Sequence, residues 1–188
     1  LLLYMLYPTI CQQTLSMLAC RRVEAWQYLS ADLEEPCWRD RHLAYVLILA
    51  LPQVILYVFG LPLLAFFMMF RNRNKLGDHV VKFRYGMLFS GYRVERYYWE
   101  VLVAMRKAFI IILSTFGALI QIRVQTHIAL FLLMAALVLH VWGKPFLASS
   151  LQQLEGAGLV TCWFTMWCGL LFYQDGVSPT MRVFLTIV

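Results

Sequence analysis

The side chains least explained by packing are three charges in an otherwise apolar run, Glu100, Arg106 and Lys107, within residues 99–120. A charge inside a membrane-length apolar stretch is costly in hydrocarbon and marks an ion path, a gate or a helix contact. If the run is a helix entering lipid near Trp99, Arg106 and Lys107 lie about 10 Å along it. Long side chains at that depth reach back to the boundary. Glu100 and Lys107, seven positions apart, share a helical face. The cluster therefore reads as ordinary snorkelling, or as a charge network that couples the preceding loop to the helices as a gate would require.

Two of the five cysteines, Cys20 and Cys37, enclose a short polar segment. Placed outside a cell or in a lumen, such a pair predicts a disulfide that pins the first helix to the second; the alternative is two free thiols at helix ends. Cys11, Cys162 and Cys168 read as small hydrophobes. The four histidines raise haem ligation, which needs facing pairs across helices. His127 and His140 share one expected helix, but 13 positions at 100° each leave them about 220° apart around its axis, so interfacial hydrogen bonding suits them better. His42 and His79 fall at a span boundary and in a loop. Phosphate-binding, zinc-protease, nucleophile-elbow and dinucleotide motifs are all missing from the sequence, and the expectation is no enzyme, no cofactor and no metal site.

The elements that must position these residues follow from composition. Of 188 residues 62% are hydrophobic and 14% charged, where a soluble domain has roughly a quarter charged and under half apolar. This is the composition of a membrane protein. The net charge of +6 reads as loop charge held on the cytoplasmic side rather than as a nucleic-acid surface. A spanning helix needs about 20 mostly apolar residues. Residues 43–70, 99–120, 124–142 and 154–173 meet that, with partial candidates at 1–18 and 182–188. The expected fold is an all-α, polytopic transmembrane helix bundle of about six spans, the first and last partial, in one domain over 1–188. The opening Leu1-Leu2-Leu3 lacks the marks of a signal peptide, and both ends read as cut from a longer chain.

Segment 43–70 carries Pro52, Gly60 and Pro62. Each proline frees a carbonyl that must find another partner within lipid, so this helix is expected to tilt or kink, either as fixed packing or as a hinge. Orientation follows the basic residues. Segment 71–98 is net +5, with Arg71, Arg73, Lys75, Lys82, Arg84, Arg93 and Arg96 against Asp78 and Glu95, and is assigned to the cytoplasm. Segment 19–42 is net −1 and becomes an extracellular loop. Trp99 and Trp142 then fall at the inner boundary, where indole rings favour headgroups. Within 71–98, aromatic and aliphatic residues among Arg71, Arg73, Lys75, Lys82 and Arg84 suit a stretch lying on anionic inner-leaflet lipids; an ordinary solvated loop is the alternative. Trp163 and Trp167, four apart, read as packing. There is no acidic ring or carbonyl filter sequence from which a pore could be read.

Several strings in order, Leu6-Tyr7-Pro8-Thr9-Ile10, Cys20-Arg21, Cys37-Trp38, Ala50-Leu51-Pro52, Gly60-Leu61-Pro62, Phe83-Arg84-Tyr85-Gly86, Tyr97-Tyr98-Trp99-Glu100 and Arg106-Lys107, resemble the C-terminal multi-span region of large algal and protist surface proteins with cysteine-rich or EGF-like repeats. That region is loosely grouped with TRP-like and polycystin-like membrane proteins. The resemblance implies an integral helical module in the plasma or ciliary membrane, joined to a large extracellular region of the same chain and touching other membrane proteins. It also supports the Cys20–Cys37 bridge. The expected function is membrane anchoring and interaction; the alternative is a TRP-like cation channel or sensor subunit. Against conduction, Asp175-Gly176-Val177-Ser178-Pro179 is too short for a re-entrant pore segment.

Overall fold

The computed structural model describes residues 2–23, 26–73, 83, 86, 89, 91–117 and 120–172. They form two compact units, 1–119 and 120–188.

The first unit contains helix α1 (Leu2–Ser16), strands β1 (Cys20–Val23), β2 (Trp26–Leu29) and β3 (Asp32–Pro36), the long helix α2 (Asp40–Arg71) and helix α3 (Trp99–Phe116). The strands make an antiparallel sheet in the order β1-β2-β3, with Cys20 opposite Leu29 and Val23 opposite Trp26. The all-α expectation is corrected here. Segment 19–42, expected as a loop, holds three strands between Cys20 and Pro36 and the first residues of the long helix from Asp40, and the strands are too short and too charged to show a two-residue hydrophobic period.

A buried cluster of Tyr7, Cys11, Val58 and Ala108 joins α1, α2 and α3. Tyr7 meets Val58 while Thr14 meets Gln53, so α1 and α2 run antiparallel. Leu18 and Phe116 line one cavity beyond the ends of α1 and α3, so these two helices run parallel. At the far end of α2, Met69 packs with Phe89, Tyr97 and Val101.

The second unit is a helical hairpin of α4 (Ile122–Gly143) and α5 (Ser149–Phe172). Helix α4 stops at Lys144, whose φ of 39° is left-handed and whose N–H bonds the His140 carbonyl at 3.1 Å. Glycine is the usual residue for such a stop; here Pro145, fully buried, follows immediately and forbids the helix to continue.

Among the described residues three helices are long and apolar enough to cross a membrane: α2, α4 and α5. The six-span count is therefore larger than the structure supports. Helix α1 has 15 residues, α3 has 18 with three charges among them, and 182–188 lies outside the described residues. The three apolar helices bury little of themselves within the chain. Ile48, Phe131 and Leu154 are each 70% exposed or more, a surface that water would not tolerate on an ordinary monomer and that lipid tails cover without cost.

Candidate functional site

The long helix α2 is where sequence and geometry depart furthest from regularity. Its backbone widens to π-helical winding over Val46–Ala50 and again over Val54–Gly60, each stretch ending just ahead of a proline. Single π-turns in α-helices are frequent at functional sites. Pro62 has no N–H, which deprives the Val58 carbonyl of its α-helical donor. The Tyr7 hydroxyl donates to that carbonyl at 2.9 Å, across 51 residues of sequence. Near Pro52, the Thr14 hydroxyl donates to the Gln53 side-chain oxygen at 3.3 Å. Tyr7, Cys11 and Thr14 form one buried stripe on α1, so this helix is laid along the irregular part of α2.

Gly60 belongs to the same construction. A Cβ there would fall 2.8 Å from the Ile55 carbonyl oxygen, five residues back. The wide turn brings that carbonyl inward, and only a residue without a Cβ fits. Pro52, Gly60 and Pro62 thus sit together in a specialised helix.

Beyond α1 and α2 lies the sheet, and Cys20 and Cys37 form a disulfide with their Cα atoms 6.3 Å apart. Next to it, Trp38 adopts a left-handed φ of 62°. Its N–H donates to His42 Nδ1 at 3.0 Å, and its ring meets the His42 ring edge-on at 5.8 Å. His42 Nε2, carrying the ring proton, donates to the Met17 carbonyl at 3.1 Å. One buried imidazole therefore ties the end of α1 to the start of α2. Cys20, Cys37 and His42 place their donor atoms within 4.8 Å of one another, the spacing of a metal site. With both sulfurs bonded to each other and both ring nitrogens hydrogen-bonded, the disulfide form leaves no donor for an ion. Glu35 on β3 and Arg41 at the head of α2 make a two-pronged ion pair, with Arg41 Nε 3.1 Å from Oε1. The guanidinium holds the Glu35 carboxyl below the usual carboxylate range.

The charge cluster of α3 is half-buried. Glu100 accepts a hydrogen bond of 2.6 Å from the Tyr92 hydroxyl, which links the segment before α3 to its first turn; Arg106 and Lys107 lie two turns further along. Of the cations expected to meet lipid headgroups, Arg71 closes α2 and Arg73 lies over the Phe70 ring at 4.7 Å. Lys75, Lys82 and Arg84, with His79, lie outside the described residues.

In the hairpin, the four-apart pair Trp163 and Trp167 stack with ring centroids 6.4 Å apart. His127 bonds its own helix at Arg123, whereas His140 is buried and bonds across the turn. Its Nε2 lies 2.9 Å from the Gln152 carbonyl oxygen, and the Gln152 amide nitrogen lies 3.1 Å from the His140 carbonyl. The Gln152 side-chain oxygen accepts from the Phe146 N–H. Gly156 faces the His140 ring, from which a Cβ there would stand 3.5 Å, an ordinary contact. The sequence pointed to hydrogen bonding for His140; Gln152 as the partner gave no signal of its own.

No family model matches the chain, and no solved structure does. A cysteine-repeat protein of very great length does match, at 24% identity over 155 residues, which covers 77% of this chain and 5% of that protein. It is Cysteine repeat modular protein A of Toxoplasma gondii. The chain is similar to one part of that cysteine-repeat protein and spans about one twentieth of its length.

Proposed function

We propose that this chain is a membrane-anchoring and interaction module of a large protein at the cell surface or in the ciliary membrane. The observation that carries this reading is the three long apolar helices whose large side chains are left uncovered. A bilayer supplies the missing cover. The similarity to a far longer cysteine-repeat protein supports an extracellular region attached to the same chain. In this reading α1 and α3 cross the bilayer with α2, α4 and α5, and a span near 182–188 brings the total to about six. The sheet faces outside, where a disulfide persists; 71–98 lies on anionic inner-leaflet lipid; and other membrane proteins meet the helices. The module catalyses no reaction.

The test is a fusion of residues 1–188 to a soluble reporter. The reporter should stay in the membrane pellet at alkaline pH, a glycosylation acceptor inserted between β1 and β2 should be modified, and one inserted near Asn74 should not. Release of the reporter, or the reverse glycosylation pattern, overturns the anchor or its orientation.

A second reading, a TRP-like cation channel or sensor subunit, is favoured by the π-wound stretches beside Pro52 and Pro62, which give α2 a place to change its winding, and by the charges of α3. On that reading Lys107→Ala alters the voltage or ligand dependence of a current in the full-length protein, and reconstituted protein that carries no current rejects it.

A further inference from the structure

Beyond anchoring, the first unit contains a cavity of about 400 Å³ lined by Leu18, Cys20, Gln27, Trp38 and Phe116. That volume lies in the range of small-molecule sites, roughly 300–1,000 Å³. The walls are the disulfide, two aromatic rings and a leucine, with Gln27 as the single polar side chain. It opens where α1 and α3 end and α2 begins, beneath the sheet.

We propose that this cavity binds one acyl chain of an outer-leaflet phospholipid; the inference rests on the membrane placement proposed above. Two observations select this occupant. The lining has no charged side chain and one amide among apolar groups, which suits hydrocarbon better than a charged solute. Its place at the ends of the helices is the depth of the lipid–water boundary in that orientation, so a chain enters sideways without leaving the bilayer.

The shape of the cavity is also held from outside it. Trp38, one wall, keeps its left-handed backbone because its N–H is fixed by His42. Cys20, another wall, is fixed by its bridge to Cys37. Trp26, on the strand that carries Gln27, is exposed and lies under the Arg39 guanidinium at 4.3 Å, an aromatic–cation pairing suited to the headgroup region. A pre-shaped pocket loses less on binding than one that must form around its ligand.

The full chain, reconstituted in nanodiscs with a phosphatidylcholine bearing a diazirine near the end of one acyl chain, is irradiated, digested and mapped by mass spectrometry. Label is expected on the peptides containing Leu18, Trp38 and Phe116, as well as on lipid-facing positions of α4 and α5. Cavity label should fall about tenfold in Leu18→Trp, which fills the space, while label on α4 and α5 stays. Phe116→Trp fills the cavity from the opposite wall and should do the same; an intact Cys20–Cys37 bridge on non-reducing peptide maps shows that the cap has formed. Label on α4 and α5 with none on the cavity peptides of the wild type overturns the lipid site. So does cavity label that both filling variants leave unchanged. Cavity label from a diazirine sterol but not from the phospholipid overturns the choice of ligand. No label anywhere overturns the membrane placement itself.

Discussion

The two units satisfy the backbone of a long apolar helix in opposite ways. The hairpin of α4 and α5 uses regular helices that satisfy their own backbones, and a polar knot at the turn, His140 with Gln152, ties them. The first unit accepts two prolines in its longest helix and must satisfy the freed backbone from elsewhere. Tyr7 of α1 supplies the donor to the Val58 carbonyl and Thr14 anchors the Gln53 side chain beside Pro52, while the disulfide, His42 and the Glu35–Arg41 pair hold α1 in place. Irregularity in one helix thus makes its neighbours obligatory.

The contrast can be broken selectively because each unit carries a buried thiol, Cys11 in the first and Cys168 in the second, whose labelling rate in mild detergent reports opening. The largest effect is expected from Cys20→Ser with Cys37→Ser. Removing a bridge that spans 17 residues costs about 3 kcal/mol by loop entropy, and should expose Cys11 while leaving Cys168 protected. Gly60→Ala follows, at about 2 kcal/mol, because the new methyl meets the Ile55 carbonyl; it also should raise Cys11 labelling alone. Gln152→Leu acts on the other unit. It removes the amide that binds the His140 carbonyl and the Phe146 N–H, costs about 1–2 kcal/mol, and should speed labelling of Cys168 and not of Cys11. Tyr7→Phe keeps the ring and deletes the hydroxyl that donates to Val58 and also lies against the Cys11 thiol, for about 1 kcal/mol; equal labelling of Cys11 in this variant and the wild type would mean that neither contact holds α1 against α2.

The smallest effect is pH-dependent. Arg41 lowers the Glu35 carboxyl in the folded chain, so the pair stabilises the sheet above the unfolded carboxylate range. That contribution disappears as pH falls below about 4, through the folded value. Trp26 fluorescence, which senses Arg39 over its ring, should change over that acid range in the wild type and lose the Glu35-linked part of the change in Glu35→Gln.

The sequence made the apolar helices legible because hydropathy acts over 20 or more residues and survives errors of a few positions. It also made the cysteine pair legible, through charge and spacing. The strands were not, since CRRV and WQYL show no alternation and are held by pairing to each other and by the bridge. The proline helix was half legible. The orphaned carbonyl was foreseeable from Pro62, but its partner is 51 residues distant, and a lone Tyr7 in an apolar run gives no sign of where its hydroxyl goes. Gln152 was silent for the same reason: one polar residue near a helix start looks like solvent-facing surface until its partner across the turn is known.

The position of the bridge has a consequence for severing the molecule. Cys20 and Cys37 bracket the entire sheet. A protease that cuts anywhere between them opens the loop without parting the chain, and the N-terminal piece stays covalently attached to the long helix. Separating α1 from the long helix by cleavage in this region therefore requires two events, a cut and a reduction, whereas a cut between α1 and Cys20 needs only one.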